Sequence, residues 1–136
     1  MILVDTGPLV AVLDADDRRH HECLQLLEEA AGPLIVPATV VVEVCQIAER
    51  ARGPRAEAAF LRSITAGELT VEPVGAADLV RATELIETYA DLGLGLVDAS
   101  VVALAERLDI KTLATLDRRD FLVVRPAHVD AFILLP

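Results

Sequence analysis

The sequence predicts an α/β fold, a three-layer α/β/α sandwich whose central sheet is short-stranded and mostly parallel. Short apolar runs such as Ile2-Leu3-Val4 and Leu34-Ile35-Val36 alternate with longer stretches of helical periodicity. That alternation is the pattern of helices packed on both faces of a parallel sheet. Hydrophobic residues make up 54% of the 136, yet aromatics only 3%, so the core is aliphatic. Gly and Pro fall between the periodic stretches, and no linker or repeat divides them, so residues 1–136 read as a single domain large enough to bury a core.

Each element follows from local pattern. Residues 2–4 form a buried strand. Pro8 suits the first turn of a helix running to Asp14, with Thr6 near its cap. Residues 17–30 make an amphipathic helix with Leu24 and Leu27 inward, ended by Gly32-Pro33. A second strand at 34–36 is followed by a helix from Pro37 to Arg52, which Gly53-Pro54 stops. A helix over 55–65 closes at Gly67, and Leu69–Val74 alternates as a strand does. Residues 76–90 carry Leu79, Ile86 and Tyr89 at helical spacing, and Gly93 and Gly95 interrupt the chain. A helix over 97–108 and a strand over 111–115 complete the alternation, with Val123–Val124 or Phe132–Leu135 as candidate edge strands.

The net charge of −10 argues against nonspecific nucleic-acid binding through a basic surface and favours cations or a basic partner. Eleven of the twelve basic residues are Arg, the better fork for phosphate, clustered at Arg50/Arg52/Arg55 and at Arg118/Arg119. No apolar run reaches the roughly 20 residues of a membrane span, and Asp5 interrupts any leader-like segment, so a cytoplasmic location is expected. Cys23 and Cys45 read as small buried hydrophobes of a reducing compartment.

Four of the 22 acidic residues stand in apolar company: Asp5 in ILVDTGPLV, Glu43 in TVVVEVCQI, Asp98 in LGLVDASVVAL and Asp117 at the end of LATL. A buried carboxylate needs a partner or a raised pKa, and few cations lie near these in sequence. Asp5 and Asp98 could instead cap helices and Asp117 could be a turn residue; a mid-helix Glu43 has no such explanation. In parallel sheets the functional crevice lies beyond the carboxyl ends of the strands, where Asp5 and Asp117 both fall. A Mg²⁺ or Mn²⁺ ion satisfies all four, because these ions prefer carboxylates and water. His20 and His21 read as a solvated face, and His128 has no apparent carboxylate partner. Ser100 has no nearby His, so a hydroxyl nucleophile is disfavoured. Gly93 and Gly95 lack the context of a phosphate loop. A phosphoacceptor receiver domain would need paired acids after the first strand and a Lys after the last; here Asp5 is alone and Lys111 begins a strand.

These residues carry a resemblance over almost the whole chain. The opening ILVDTGPLVAVL, Glu43 in PATVVVEV, YADLGLGLVDASVVALAERL around Asp98, and LATLDRRDF with Thr115 and Asp117 resemble, in order and spacing, the motifs of the PIN-domain family, specifically its VapC-type ribonuclease toxins. The resemblance implies a PIN-like fold and a Mg²⁺- or Mn²⁺-dependent endoribonuclease. It also implies inhibition by a cognate antitoxin and a homodimer. It makes Asp5, Glu43, Asp98 and Asp117 the catalytic metal ligands, with metal-activated water attacking an RNA phosphodiester. Thr6 and Thr115 would orient carboxylates, and Arg118 and Arg119 would grip flanking phosphates. Asp91 also recurs in such segments and is left outside the site. An antitoxin would lodge a basic side chain among the four acids and lie in an apolar groove lined by Ala59, Phe60 and Ile64. The competing expectation is a catalytically silent PIN-like module that binds RNA or protein.

Overall fold

The computed structural model describes residues 1–136. Five strands form one wholly parallel sheet: β1 (Ile2–Val4), β2 (Leu34–Pro37), β3 (Thr70–Glu72), β4 (Thr112–Ala114) and β5 (Ile133–Leu135), in the order β3-β2-β1-β4-β5. Seven helices flank it: α1 (Thr6–Leu13), α2 (His20–Glu28), α3 (Ala38–Arg52), α4 (Pro54–Thr65), α5 (Ala76–Thr88), α6 (Leu96–Leu108) and α7 (Arg118–Val123). A parallel sheet is covered on both faces, which makes its strands apolar throughout. Leu3, Val4, Val36, Leu113 and Ala114 are accordingly fully buried.

The strand order reverses direction between β1 and β4. From β1 the chain steps one way to β2 and β3; from β4 it steps the other way to β5. The register pairs Leu3 with Leu113 and Val4 with Ala114. The Asp5 N–H then donates to the Ala114 carbonyl at 2.9 Å, so Asp5 leaves the sheet beside Thr115. Connections departing to opposite sides leave a crevice at this point.

The most buried helix is α6, in which every residue from Ala99 to Ala105 is buried. Small residues at Ala99, Ser100, Ala103 and Ala105 let neighbouring elements approach closely. Gly53 separates α3 from α4 with φ +80°, a conformation that an L side chain resists.

Several sequence-level expectations need correction. The second helix begins at His20, because Asp14, Asp17 and Arg19 spend their backbone bonds on turns before it. Leu79 is 46% exposed; the inner face of α5 is Asp78, Ala82 and Leu85. Val123 ends α7, whose formation after Asp117 the sequence reading missed, so of the two candidate stretches only Phe132–Leu135 yields a strand, β5. His128 Nε2 lies 2.8 Å from the Ile110 carbonyl oxygen, a backbone partner rather than a carboxylate. His20 is half-buried, with its Nδ1 2.9 Å from the Ala11 carbonyl oxygen. No helix is long and apolar enough to cross a membrane.

One buried carboxylate is structural. Asp78 is 5% exposed. It accepts from Arg107 Nε at 2.9 Å and from the Gly75 N–H at 2.9 Å, tying α5 to α6. Burial pushes its carboxyl up, but these two bonds and the Arg107 charge more than offset that and hold it below the usual range. Its stabilising effect is therefore present above the unfolded value and lost as pH falls through the lower folded value. Asp78→Asn is expected to cost about 2 kcal/mol, the scale of a charge-assisted bond. Urea unfolding at pH 7 measures this, and the gap from wild type should narrow below the carboxylate range.

Candidate active site

The carboxyl ends of β1 and β4 bring the predicted acids together. Asp5 follows β1, Asp117 lies three residues after the end of β4, Glu43 lies on α3 and Asp98 on the first turn of α6. With Thr6, Gly7 and Leu116 they line one open crevice of about 510 Å³. Asp5 is buried, Glu43 and Asp98 are half-buried, and Asp117 is exposed. Gly7 suits this closeness, since a Cβ there would stand 3.1 Å from Leu116 Cβ and push that side chain back by a few tenths of an ångström.

Capping does not explain these residues. Asp5 occupies the position before α1 but makes no side-chain cap bond, and the position before α6 is Gly95, leaving Asp98 inside the first turn. Asp117 does cap α7, accepting from the Asp120 N–H at 3.3 Å, while its own N–H donates to Thr115 Oγ1 at 3.0 Å.

Two hydroxyls hold the acids. Thr115 Oγ1 donates to Asp5 Oδ2 at 2.8 Å. Thr6 Oγ1 donates to Glu43 Oε2 at 2.5 Å, reaching from α1 to α3 rather than to the adjacent Asp5. Each hydroxyl occupies a lone pair on one carboxylate and fixes the rotamer that aims the rest of the group at the crevice.

The electrostatics report the same convergence. Burial pushes the Asp98 carboxyl up to about 7, and the negative charges of Asp5, Asp117, Asp120 and Glu43 add to this. Asp5 is raised chiefly by burial and further by Glu43 and Asp117, against the lowering effect of the Thr6 N–H and the Thr115 hydroxyl. No Lys or Arg forms an ion pair with Asp5, Glu43, Asp98 or Asp117. An all-carboxylate donor set with no protein counterion fits Mg²⁺ or Mn²⁺, which take hard oxygen ligands.

One acid escaped the sequence reading. Asp120, with Asp98 and Asp117, can place carboxylate oxygens all within 4.8 Å of one another. It lies three residues after Asp117 on α7, the spacing that puts two side chains on one helix face, but that inference needs the helix to be foreseen. Burial, then the charge of Asp117, raises its carboxyl. Other candidates lie elsewhere or are committed elsewhere. Arg118 Nη1 donates to the Pro136 carbonyl at 3.0 Å. Arg119 is 82% exposed and 4.0 Å from Asp120. Asp91 sits exposed in a 3₁₀ turn at Ala90–Leu92 and does not line the crevice. Ser100 is buried behind Asp98 and unavailable as a nucleophile.

The chain is similar to known proteins over nearly its whole length. The chain is 33% identical over 135 residues to Ribonuclease VapC26 of Mycobacterium tuberculosis (strain ATCC 25618 / H37Rv), spanning 99% of this chain and 100% of that protein. The crystal structure of M. tuberculosis VapC20, described as a sarcin-ricin loop cleaving toxin, is similar with a TM-score of 0.78 and 25% identity, over 83% of this chain and 87% of that one. A toxin–antitoxin complex from Klebsiella pneumoniae shares the fold at a TM-score of 0.72 and 20% identity, covering 95% of this chain and 100% of that one. A PIN domain family model matches residues 2–125. With that match over most of its length and 33% identity to a full-length relative, the chain belongs to the PIN domain family.

Proposed function

We propose that this protein is a divalent-metal-dependent endoribonuclease of the VapC toxin type, held inactive by a cognate antitoxin. The observation that carries the reading is the crevice, where four carboxylates from four segments meet without an Arg or Lys partner. Identity of 33% over nearly the full length to a protein named a ribonuclease supports RNA as the substrate. A silent binding module has no use for clustered unpaired acids, of which Asp5 and Asp98 are raised by burial and by their acidic neighbours.

Asp5, Glu43, Asp98 and Asp117 are the residues that would hold Mg²⁺ or Mn²⁺, with Asp120 at the Asp98–Asp117 side. Bound there, the ion supplies Lewis acidity and a water of lowered pKa beside the scissile phosphate. Thr115 and Thr6 keep the Asp5 and Glu43 carboxylates aimed into the crevice. Deprotonated Asp98 would offset the cation's charge, and a bound cation would relieve the burial and acid–acid repulsion that raise its carboxyl in the metal-free site. In-line attack leaves a 5′-phosphate and a 3′-hydroxyl. Arg119, exposed at the rim, is free to meet a flanking phosphate. Arg118 must first leave the Pro136 carbonyl. With Tyr and Phe together numbering four, base stacking contributes little, and recognition leans on RNA shape and backbone.

The partner reading rests on a second cavity. An apolar groove of about 380 Å³ opens between α1, α2 and α4, and Leu9, Val12, Leu24, Leu27, Phe60 and Leu69 supply much of its wall. Of the three residues the sequence suggested, Phe60 lines it; Ala59 and Ile64 do not. Leu9 lies one turn along α1 from Thr6, so a peptide seated in the groove can reach the acids with an Arg or Lys. The likeness to the Klebsiella pneumoniae toxin–antitoxin complex supports such a partner. A homodimer is proposed as well; exposed Leu79 and Val80 on α5 offer apolar surface for it.

Asp98→Asn is expected to lower metal-dependent RNA cleavage at least about 100-fold, beyond the loss typical of outer-shell substitutions. Cleavage of a labelled RNA with Mn²⁺ measures it, and products from the wild type should carry 5′-phosphate. Unchanged cleavage in the variant would assign the activity elsewhere.

Association with the antitoxin should quicken as salt is lowered, because opposite fields steer the encounter. In Glu43→Gln that salt dependence should weaken. Stopped-flow association rates across a salt series test this; rates indifferent to both salt and substitution leave only the apolar groove.

A further inference from the structure

A pair of hydroxyls behind the crevice has no place in the chemistry above. Ser100 is fully buried on α6. Its Oγ donates to the Val97 carbonyl at 2.7 Å. That carbonyl belongs to the peptide joining Val97 to Asp98. Since the Ser100 proton is engaged there, the 2.6 Å contact with Thr39 Oγ1 is a bond that Thr39 donates. Thr39 lies in the first turn of α3, four residues before Glu43, on the same side of that helix. Its hydroxyl crosses to α6 instead of bonding its own helix, and the residue before α3, Pro37, offers no side-chain cap.

Glu43 and Asp98 belong to two helices, and no direct hydrogen bond joins them. Glu43 is fixed on its other side by Thr6. The Thr39–Ser100 bond is the hydrogen bond that joins α3 to α6 beside these acids. We infer that Thr39 and Ser100 are positioning residues for the metal site, setting the span between Glu43 and Asp98 through a hydroxyl latch from α3 to the Val97–Asp98 peptide. Neither residue lines the crevice, so they act through the carboxylates and never touch the ion or the RNA.

The inference rests on the metal reading given above. The latch works because carboxylates that repel one another drift apart unless their helices are pinned, and an ion's affinity depends on oxygens already at the right spacing. Thr39→Val keeps the side chain's shape and leaves the Ser100 proton on Val97, so no buried donor is orphaned. Thr39→Ser keeps the latch and removes only a methyl group.

The test is Mn²⁺ binding by titration calorimetry on wild type, Thr39→Val, Thr39→Ser, Ser100→Ala, Thr39→Val/Ser100→Ala and Asp98→Asn, with apo melting temperatures measured alongside. The latch predicts that Mn²⁺ binds about 10-fold more weakly to Thr39→Val and to the double variant, the range seen when groups supporting metal ligands are removed. Thr39→Ser should bind as wild type does, and the loss should exceed any explained by apo melting. Wild-type affinity in Thr39→Val overturns the latch, as does an equal loss in Thr39→Ser, which would assign the effect to the methyl group. If Thr39→Val does not fold, the comparison of Thr39→Ser with Ser100→Ala decides by the same criterion. Unchanged affinity in Asp98→Asn overturns the metal reading itself, and the latch falls with it.

Discussion

Carboxylates that repel one another at the edge of a hydrophobic sheet are the constraint around which the rest of this molecule is arranged. Asp5 comes out of β1 and Asp117 out of β4, and the β1–β4 register leaves them on one rim. Glu43 and Asp98 arrive from α3 and α6. None of the four has an Arg or Lys partner, and burial together with the neighbouring acids pushes the Asp98 carboxyl up to about 7. A fold that needed only stability would avoid such a cluster or pair it. The same molecule does pair its other buried acid: Asp78 meets Arg107, and half-buried Glu106 meets Arg81 through Nε at 2.8 Å. The acids left unpaired are those proposed to hold the ion.

What holds this cluster in place is made of hydroxyls. Thr115 bridges Asp5 and the Asp117 backbone, Thr6 holds Glu43, and Thr39 with Ser100 joins the two helices behind. A hydroxyl can donate to a carboxylate without neutralising it. An Arg in the same place would fix the geometry but occupy the metal's position and cancel the charge that attracts it. Thr and Ser are therefore suited to supporting the site, while Arg81 and Arg107 pair the acids between α5 and α6.

Much of this was legible in the sequence because it is local. Asp5, Glu43, Asp98 and Asp117 were visible as acids among aliphatic neighbours, and the strands leading to two of them as short apolar runs. Pairings across long sequence separations were not visible. That Thr6 serves Glu43, 37 positions away, depends on how α1 packs on α3. Asp78 and Glu106 looked like ordinary surface acids because Arg107 and Arg81 lie 29 and 25 positions off. Asp120 was missed because α7 is only six residues long, too short for periodicity to announce it. Leu79 looked inward because spacing alone does not tell which of two helical stripes faces the core.

The central claim is that the acids are mutually destabilised without metal, and the pH dependence of apo stability tests it most directly. Asp98 has a folded value near 7, above its unfolded value near 3.8, so the folded state holds the extra proton between them. Stability from this group is full at low pH and falls as pH rises toward 7. Denaturant unfolding of metal-free wild type and Asp98→Asn between pH 5 and pH 8 should show the wild type losing stability relative to the variant as pH rises, with Mn²⁺ restoring it at pH 8 in the wild type alone. Parallel curves for the two proteins, or wild type gaining on the variant with pH, would contradict the account.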